Sequence, residues 1–289
     1  MKLIFSRKGF DSSLGKVPSP ILPDGRMLHV PIPSSTSNIM YKDLSLDEFN
    51  LGDIVYDITD GRVLPTDTAH VDPDLNIGYL ERRPGWRPLF GQAGAAQGHL
   101  MNQNVTAGDI FLFFGWFQES EVVDNKLVYG RKSKGVHAIF GWLQVEKTIS
   151  VGCLDNAPNW ATYHPHFQRA KPFKNDTIYV GTEQLTLPNI GTTSFPGASI
   201  FRHFSDRLQL TKDRYNRSIW ELPGWFFPKN GHYPLTYHSN RDRWKRERDK
   251  VILRTVGRGQ EFVLDTTIYP EAIEWFHDIL DFDANEFSV

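Results

Sequence analysis

The stretch Asp109-Ile110-Phe111-Leu112-Phe113-Phe114-Gly115-Trp116-Phe117 limits the choice of fold more than any other part of the 289-residue chain. Successive side chains of an extended strand point to opposite faces, and here both alternating sets are apolar. A strand of this kind is stable only with material packed above and below it, so it belongs inside a sheet covered on both sides. Gly108-Asp109 marks its entrance. Leu127-Val128-Tyr129, a polar turn from Gly130 to Gly135, and Val136 to Val145 follow at hairpin distances, which predicts a β meander. Lys2 to Phe5, Thr177 to Val180 and Glu261 to Leu264 add shorter strands, while the prolines in Trp220 to Pro228 confine that aromatic segment to an edge or a loop.

Helical signals are fewer. Leu44 to Ile58 is helix-compatible, with Ser45 and Glu48 at the spacing of a capping box. Gln92 to Asn102 is rich in Ala, Gln and Leu, and Pro270 opens a last helix with Ile273, Phe276 and Leu280 on one face. Val17 to Ser37 holds five prolines and little periodicity, so it reads as an extended segment lying on the surface of something else. The expected class is therefore α+β and β-rich: a central, mostly antiparallel sheet with peripheral helices and long Pro-rich loops. The chain reads as one domain over 1–289, with an extended N-terminal segment, a C-terminal helix and a weak subdivision near 150–175.

A net charge of −2, from 32 Lys and Arg against 34 Asp and Glu, provides no chain-wide field for a polyanion, so nucleic-acid binding would need a local patch. Arg241 to Lys250, with six basic and three acidic residues around Trp244, and with Arg254 and Arg258 beyond it, is that patch or else an ordinary salt-bridged surface helix. The single Cys153 rules out an intramolecular disulfide and any zinc site built on several thiolates, and fits a reducing compartment. No apolar run reaches signal-peptide or membrane-spanning length, so the expectation is a soluble cytoplasmic protein.

The densest candidate site is His70-Val71-Asp72-Pro73-Asp74. Residues two apart in an extended segment share a face, so His70, Asp72 and Asp74 are expected to line one groove as catalytic groups. With a third ligand from His137 or His166, His70 and Asp72 would make the two-histidine, one-carboxylate set of non-haem iron sites, and the carboxylates alone would suit Mg²⁺. The competing reading is a turn in which the carboxylates cap backbone N–H groups. Arg82, Arg83 and Arg87 around Trp86 read as a phosphate-and-base clamp or as a solvated turn anchored by its indole. Gln92, Gln97 and His99 have the hydrogen-bonding capacity to hold a base edge, or to cap strands in a polar core, and Trp116 and Trp142 are candidate stacking surfaces. His164-Pro165-His166 places two imidazoles on one side of an extended chain, as a loop or as part of a metal site. Arg7, Lys8, Asp11 and Ser12 flank Gly9 in a composition able to receive a phosphate, with Asp11 as a further catalytic carboxylate. No Gly-x-Ser-x-Gly elbow, post-strand GxGxxG or thiol nucleophile context is present.

Phe5 to Ser13, Pro18-Ser19-Pro20, His70 to Leu75, Phe90-Gly91-Gln92, Ala96-Gln97 and Gly108 to Phe117 together resemble one family, the third class of nucleotide-modification-associated domains. The resemblance continues through Phe140 to Gln144 and Leu222 to Phe226 and so covers most of the chain. It implies participation in DNA or nucleotide modification, a nucleic-acid or nucleotide substrate, and partner enzymes of a modification or defence system, but it carries no settled reaction. The order of Gly108-Asp109, partner strand and return strand is also similar to the small PUA- and ASCH-type barrels, which bind RNA or modified bases in a cleft. Three functions follow as expectations: a base-modifying enzyme, with a divalent metal such as Fe or Mg; an Fe(II)- and 2-oxoglutarate-dependent dioxygenase; and a non-catalytic module that reads a modified base.

Overall fold

The structure, a computed structural model, describes residues 1–130, 133–152, 157–257 and 259–287. Cys153, Arg258 and part of the turn after Gly130 lie outside the described residues. Strands β1 (Lys2–Arg7) and β2 (Ser19–Ile21) precede a small hairpin, β3 (Ser45–Leu46) and β4 (Phe49–Asn50), which leads into helix α1 (Leu51–Ile58). Next, β5 (Leu89–Gln92) runs into α2 (Gly94–Asn102), and β6 (Ile110–Val123), β7 (Lys126–Tyr129) and β8 (Val136–Ser150) form the meander. They are followed by β9 (Thr177–Gly181), the hairpin of β10 (Gln184–Leu187) and β11 (Gly191–Pro196), and β12 (Ala198–Ile200). A small sheet contains β13 (Ile219–Pro223), β14 (Trp244–Glu247) and β15 (Lys250–Arg254), before β16 (Glu261–Asp265) and α3 (Glu271–Phe287).

The principal sheet is mixed and runs β16-β1-β6-β8-β9-β5, with β2 and β7 along β6 and β12 along β8. Only β1 and β2 run parallel to β6; the other pairings are antiparallel. The class is α+β and β-rich, and among the described residues the sheet does not close into a barrel. No helix among them is long and apolar enough to cross a membrane.

The two-sided apolar pattern of β6 matches its cover. Phe5, Leu112 and Trp142 are neighbours in register on one face, where Trp275 and Phe276 of α3 pack against them. Phe111 and Phe113, on the other face, meet Phe90 and Tyr179 with ring centroids 4.9 to 5.8 Å apart. Such aromatic pairs add about 0.5–1.5 kcal/mol each beyond area burial.

Three expectations are corrected. The helix begins at Leu51, because Asp47 adopts a left-handed φ of 52° and turns 45–50 into a hairpin; Asn50 is the cap, its Oδ1 accepting from Gly52 N, and Glu48 pairs with Arg26 instead. The basic segment 241–250 forms a short 3-10 turn and a hairpin rather than a helix, since Trp244 is buried opposite Leu253 of β15. The Pro-rich segment does not stay at the surface: Leu22, Leu28 and Val30 join Tyr41, Leu51, Val55, Ala69 and Val71 in a second core.

Candidate functional site

Burial of Ala69 and Val71 in that second core turns His70 and Asp72, by strand alternation, toward β5. Asp74 N and O then pair with Leu89 at the start of β5, and Gly91 N donates to Asp72 Oδ1 at 2.8 Å. His166 arrives from the long connection between β8 and β9. Its ring occupies the space above Gly91: a Cβ at that position would lie 2.5 Å from His166 Cδ2.

The result is a compact cluster. His70 Nε2 is 3.6 Å and His166 Nε2 3.5 Å from Asp72 Oδ2, and the three ligand atoms lie within 4.8 Å of one another. His164 Nε2 stands 3.5 Å from Asp72 Oδ1, fully buried and without a hydrogen-bond partner among the described residues. These separations are long for hydrogen bonds. They are a few tenths of an ångström or more wider than the roughly 3.0–3.4 Å between neighbouring ligand atoms around one cation with bonds of about 2.1 Å, so a small inward closure would bring them to ligand spacing.

Burial alone would raise the Asp72 carboxyl, but His164, His166 and His70 outweigh it and hold it well below the ordinary carboxylate range. Burial lowers His164. It would also lower His166, whose carboxylate neighbours Asp176 and Asp72 instead raise it. Asp176 accepts from His166 Nδ1 in a short contact and is itself held by Arg169 Nη1 at 2.6 Å. This leaves His166 Nε2 facing the cluster, the arrangement by which an outer carboxylate orients a ligating imidazole. Arg169 Nη2 also approaches His166 Nε2 at 3.5 Å.

The cluster lies in a cleft of about 230 Å³ whose walls include Arg7, Lys8, Asp11, Gln92 and Phe173. A larger concavity of about 420 Å³ near Gln118 and Tyr215 contains none of the cluster residues, so size alone does not locate the chemistry.

Other expected residues sit elsewhere. Asp74 does not share the groove: it is fully buried, receives Arg82 in two 2.7 Å hydrogen bonds and also accepts from Tyr163. Arg82 stacks on Trp86, Arg83 holds Asn159 O, and Arg87 pairs with Glu146, so the three arginines secure loops rather than form one clamp. His137 lies apart from the cluster, its Nδ1 accepting from Trp220 at 3.1 Å. Gln97 is buried and accepts from Tyr179, His99 contacts Thr236 and Tyr237, and Trp142 is a core residue donating to Pro196 O. Gln92 and Lys8 both reach Glu261, and Trp116 borders a neighbouring pocket. Gly91, Asp176 and Arg169 were not singled out as site residues from the sequence. The role of Gly91 depends on the His166 ring that packs over it, and Arg169 and Asp176 act through His166, so none of the three carries a local sequence signal.

Fold and site thus define an α+β protein with a candidate metal-binding cleft at the edge of a mixed sheet. The model of the family described as nucleotide modification associated domain 3 matches residues 2–265, and the chain belongs to that family. No match was found among curated proteins or among solved structures.

Proposed function

We propose that the protein modifies the base of a nucleotide or nucleic acid, with His70, Asp72 and His166 holding a divalent transition-metal ion. The observation that carries this reading is the convergence of two imidazole Nε2 atoms on one buried carboxylate oxygen, at 3.5 and 3.6 Å. Two imidazoles with one carboxylate favour Fe(II) over Mg²⁺, which prefers oxygen ligands, and the second carboxylate that Mg²⁺ would have used, Asp74, is committed to Arg82. When bound, the ion would act as the electrophile or redox centre of the cleft. The chain's own groups do the positioning: Gly91 N–H occupies Asp72 Oδ1 and leaves Oδ2 free, and Asp176 fixes the His166 ring. The same ligand set favours the oxygenase form of this reading, in which dioxygen is the oxidant and a 2-oxo acid the co-reductant: one oxygen atom would enter the substrate and the other the carboxylic acid left when the 2-oxo acid loses CO2.

The test is aerobic incubation of the purified protein with DNA or free nucleotides, with and without 2-oxoglutarate, followed by nucleoside mass spectrometry. A new modified nucleoside that disappears after chelation and returns with Fe(II) is expected. Product formation unchanged by chelation removes the metal from the account, and tight substrate binding without any product makes the protein a reader.

A further inference from the structure

Beside the cleft lies a smaller pocket of about 120 Å³, which shares Arg7, Lys8 and Asp11 with it. Its far wall is formed by Trp116, His137 and Arg217. Arg217 sits 3.9 Å from the centroid of the Trp116 ring. Its charged neighbours are Arg7, which repels it, and Asp11, which attracts it. Asp11 brings one carboxylate to the lining; its Oδ1 accepts from Ser13 N and Leu14 N, and among the described residues it forms no ion pair with either arginine. Arg7 makes one long hydrogen bond, 3.3 Å, to Gly259 O. Two guanidiniums therefore line one small space with a single carboxylate, Asp11, among its described lining residues.

The remaining polar lining is also donor-rich. His137 is kept neutral by burial and by Arg7 and Arg217. Since its Nδ1 accepts from Trp220, its proton resides on Nε2. The hydroxyls of Ser12 and Ser13 complete the lining. Guanidinium forks, an imidazole N–H and hydroxyls are the donor set that recognises a tetrahedral dianion, and the space is too small for a nucleoside.

We propose that this pocket receives a phosphate monoester of the substrate through Arg7 and Arg217, so that the substrate is a nucleotide with a terminal phosphate rather than a free base or nucleoside. The pocket stands on its own residues; only the delivery of the attached base to His70, Asp72 and His166 rests on the proposed function.

The full-length protein at low ionic strength is titrated with inorganic phosphate by calorimetry and thermal shift. Saturable one-to-one binding and a raised Tm are expected. Arg217→Gln weakens binding at least tenfold, Arg217→Lys falls between it and wild type, and Lys147→Gln, an exposed charge elsewhere, leaves it unchanged. Should Arg217→Gln fail to fold, Arg7→Gln probes the opposite wall with the same expectation. Asp72→Asn retains phosphate binding, which keeps this result separate from failure of the metal reading. Absence of saturable binding, arginine variants that bind as tightly as wild type, or malonate binding more tightly than phosphate would each overturn the proposal, the last by assigning the pocket to a carboxylate.

Discussion

Asp72 and Asp74 stand two residues apart and serve different ends. Asp72 opens on the cleft, whereas Asp74 is sealed with Arg82 beneath Trp86 and Tyr163. Removing one partner of a buried ion pair leaves the other charge uncompensated, at a cost of about 3–5 kcal/mol. Asp74→Asn is accordingly expected to lower the urea midpoint by a stability loss of that order, measured by circular dichroism; a change below about 1 kcal/mol would show that Arg82 is solvated and Asp74 free. That His70 and Asp72 share a face was legible in the sequence, because residues two apart in an extended segment point the same way. The fate of Asp74 was not, since it depends on an arginine eight residues on and a tyrosine in a distant loop.

Among the elements, β5 contributes its backbone. Gly91 donates to Asp72, and its missing side chain is what admits the His166 ring. Gly91→Ala forces the ring or the strand to shift, and loss of orientation at a ligand typically costs about 10–100-fold in metal affinity. A drop of that size in a competitive metal-binding assay, with the sheet intact by circular dichroism, is expected; wild-type affinity would mean that His166 is not a ligand. The strands of the meander were readable because a two-sided apolar run has few alternatives. The start of α1 and the hairpin at 244–254 were not: a left-handed Asp47 overrides the Ser45 capping pattern, and burial of Trp244 against β13–β15 overrides an interleaved charge pattern that also suits a helix. His166 could be nominated from sequence, but its choice over His137 required the path of the connection between β8 and β9.

At the scale of the whole molecule, burial holds several histidines neutral. It lowers His29 and His137 to about 3 and His238 to about 4. Unfolded histidines titrate near 6.5, so the stability tied to these groups is fully present above that pH and is lost as the pH falls toward 4. The slope is about 1.4 kcal/mol per pH unit for each proton taken up on unfolding. Asp283 acts in the opposite sense: burial raises it to about 6, favouring the fold at low pH and losing that contribution as the pH rises through 6. Denaturation at pH 5 and 7.5 should therefore show lower stability at pH 5, and Asp283→Asn should stabilise at pH 7.5 but not at pH 4. Equal stability at pH 5 and 7.5 would place these histidines in water. The central claim, a cation held by His70, Asp72 and His166, is tested most directly by titrating the metal-free protein with Co(II), following visible absorption and heat. The account predicts one ion per chain, with binding weakened at least a hundredfold in Asp72→Asn and in His166→Asn while both variants remain folded; no saturable binding, or binding indifferent to both substitutions, would contradict it.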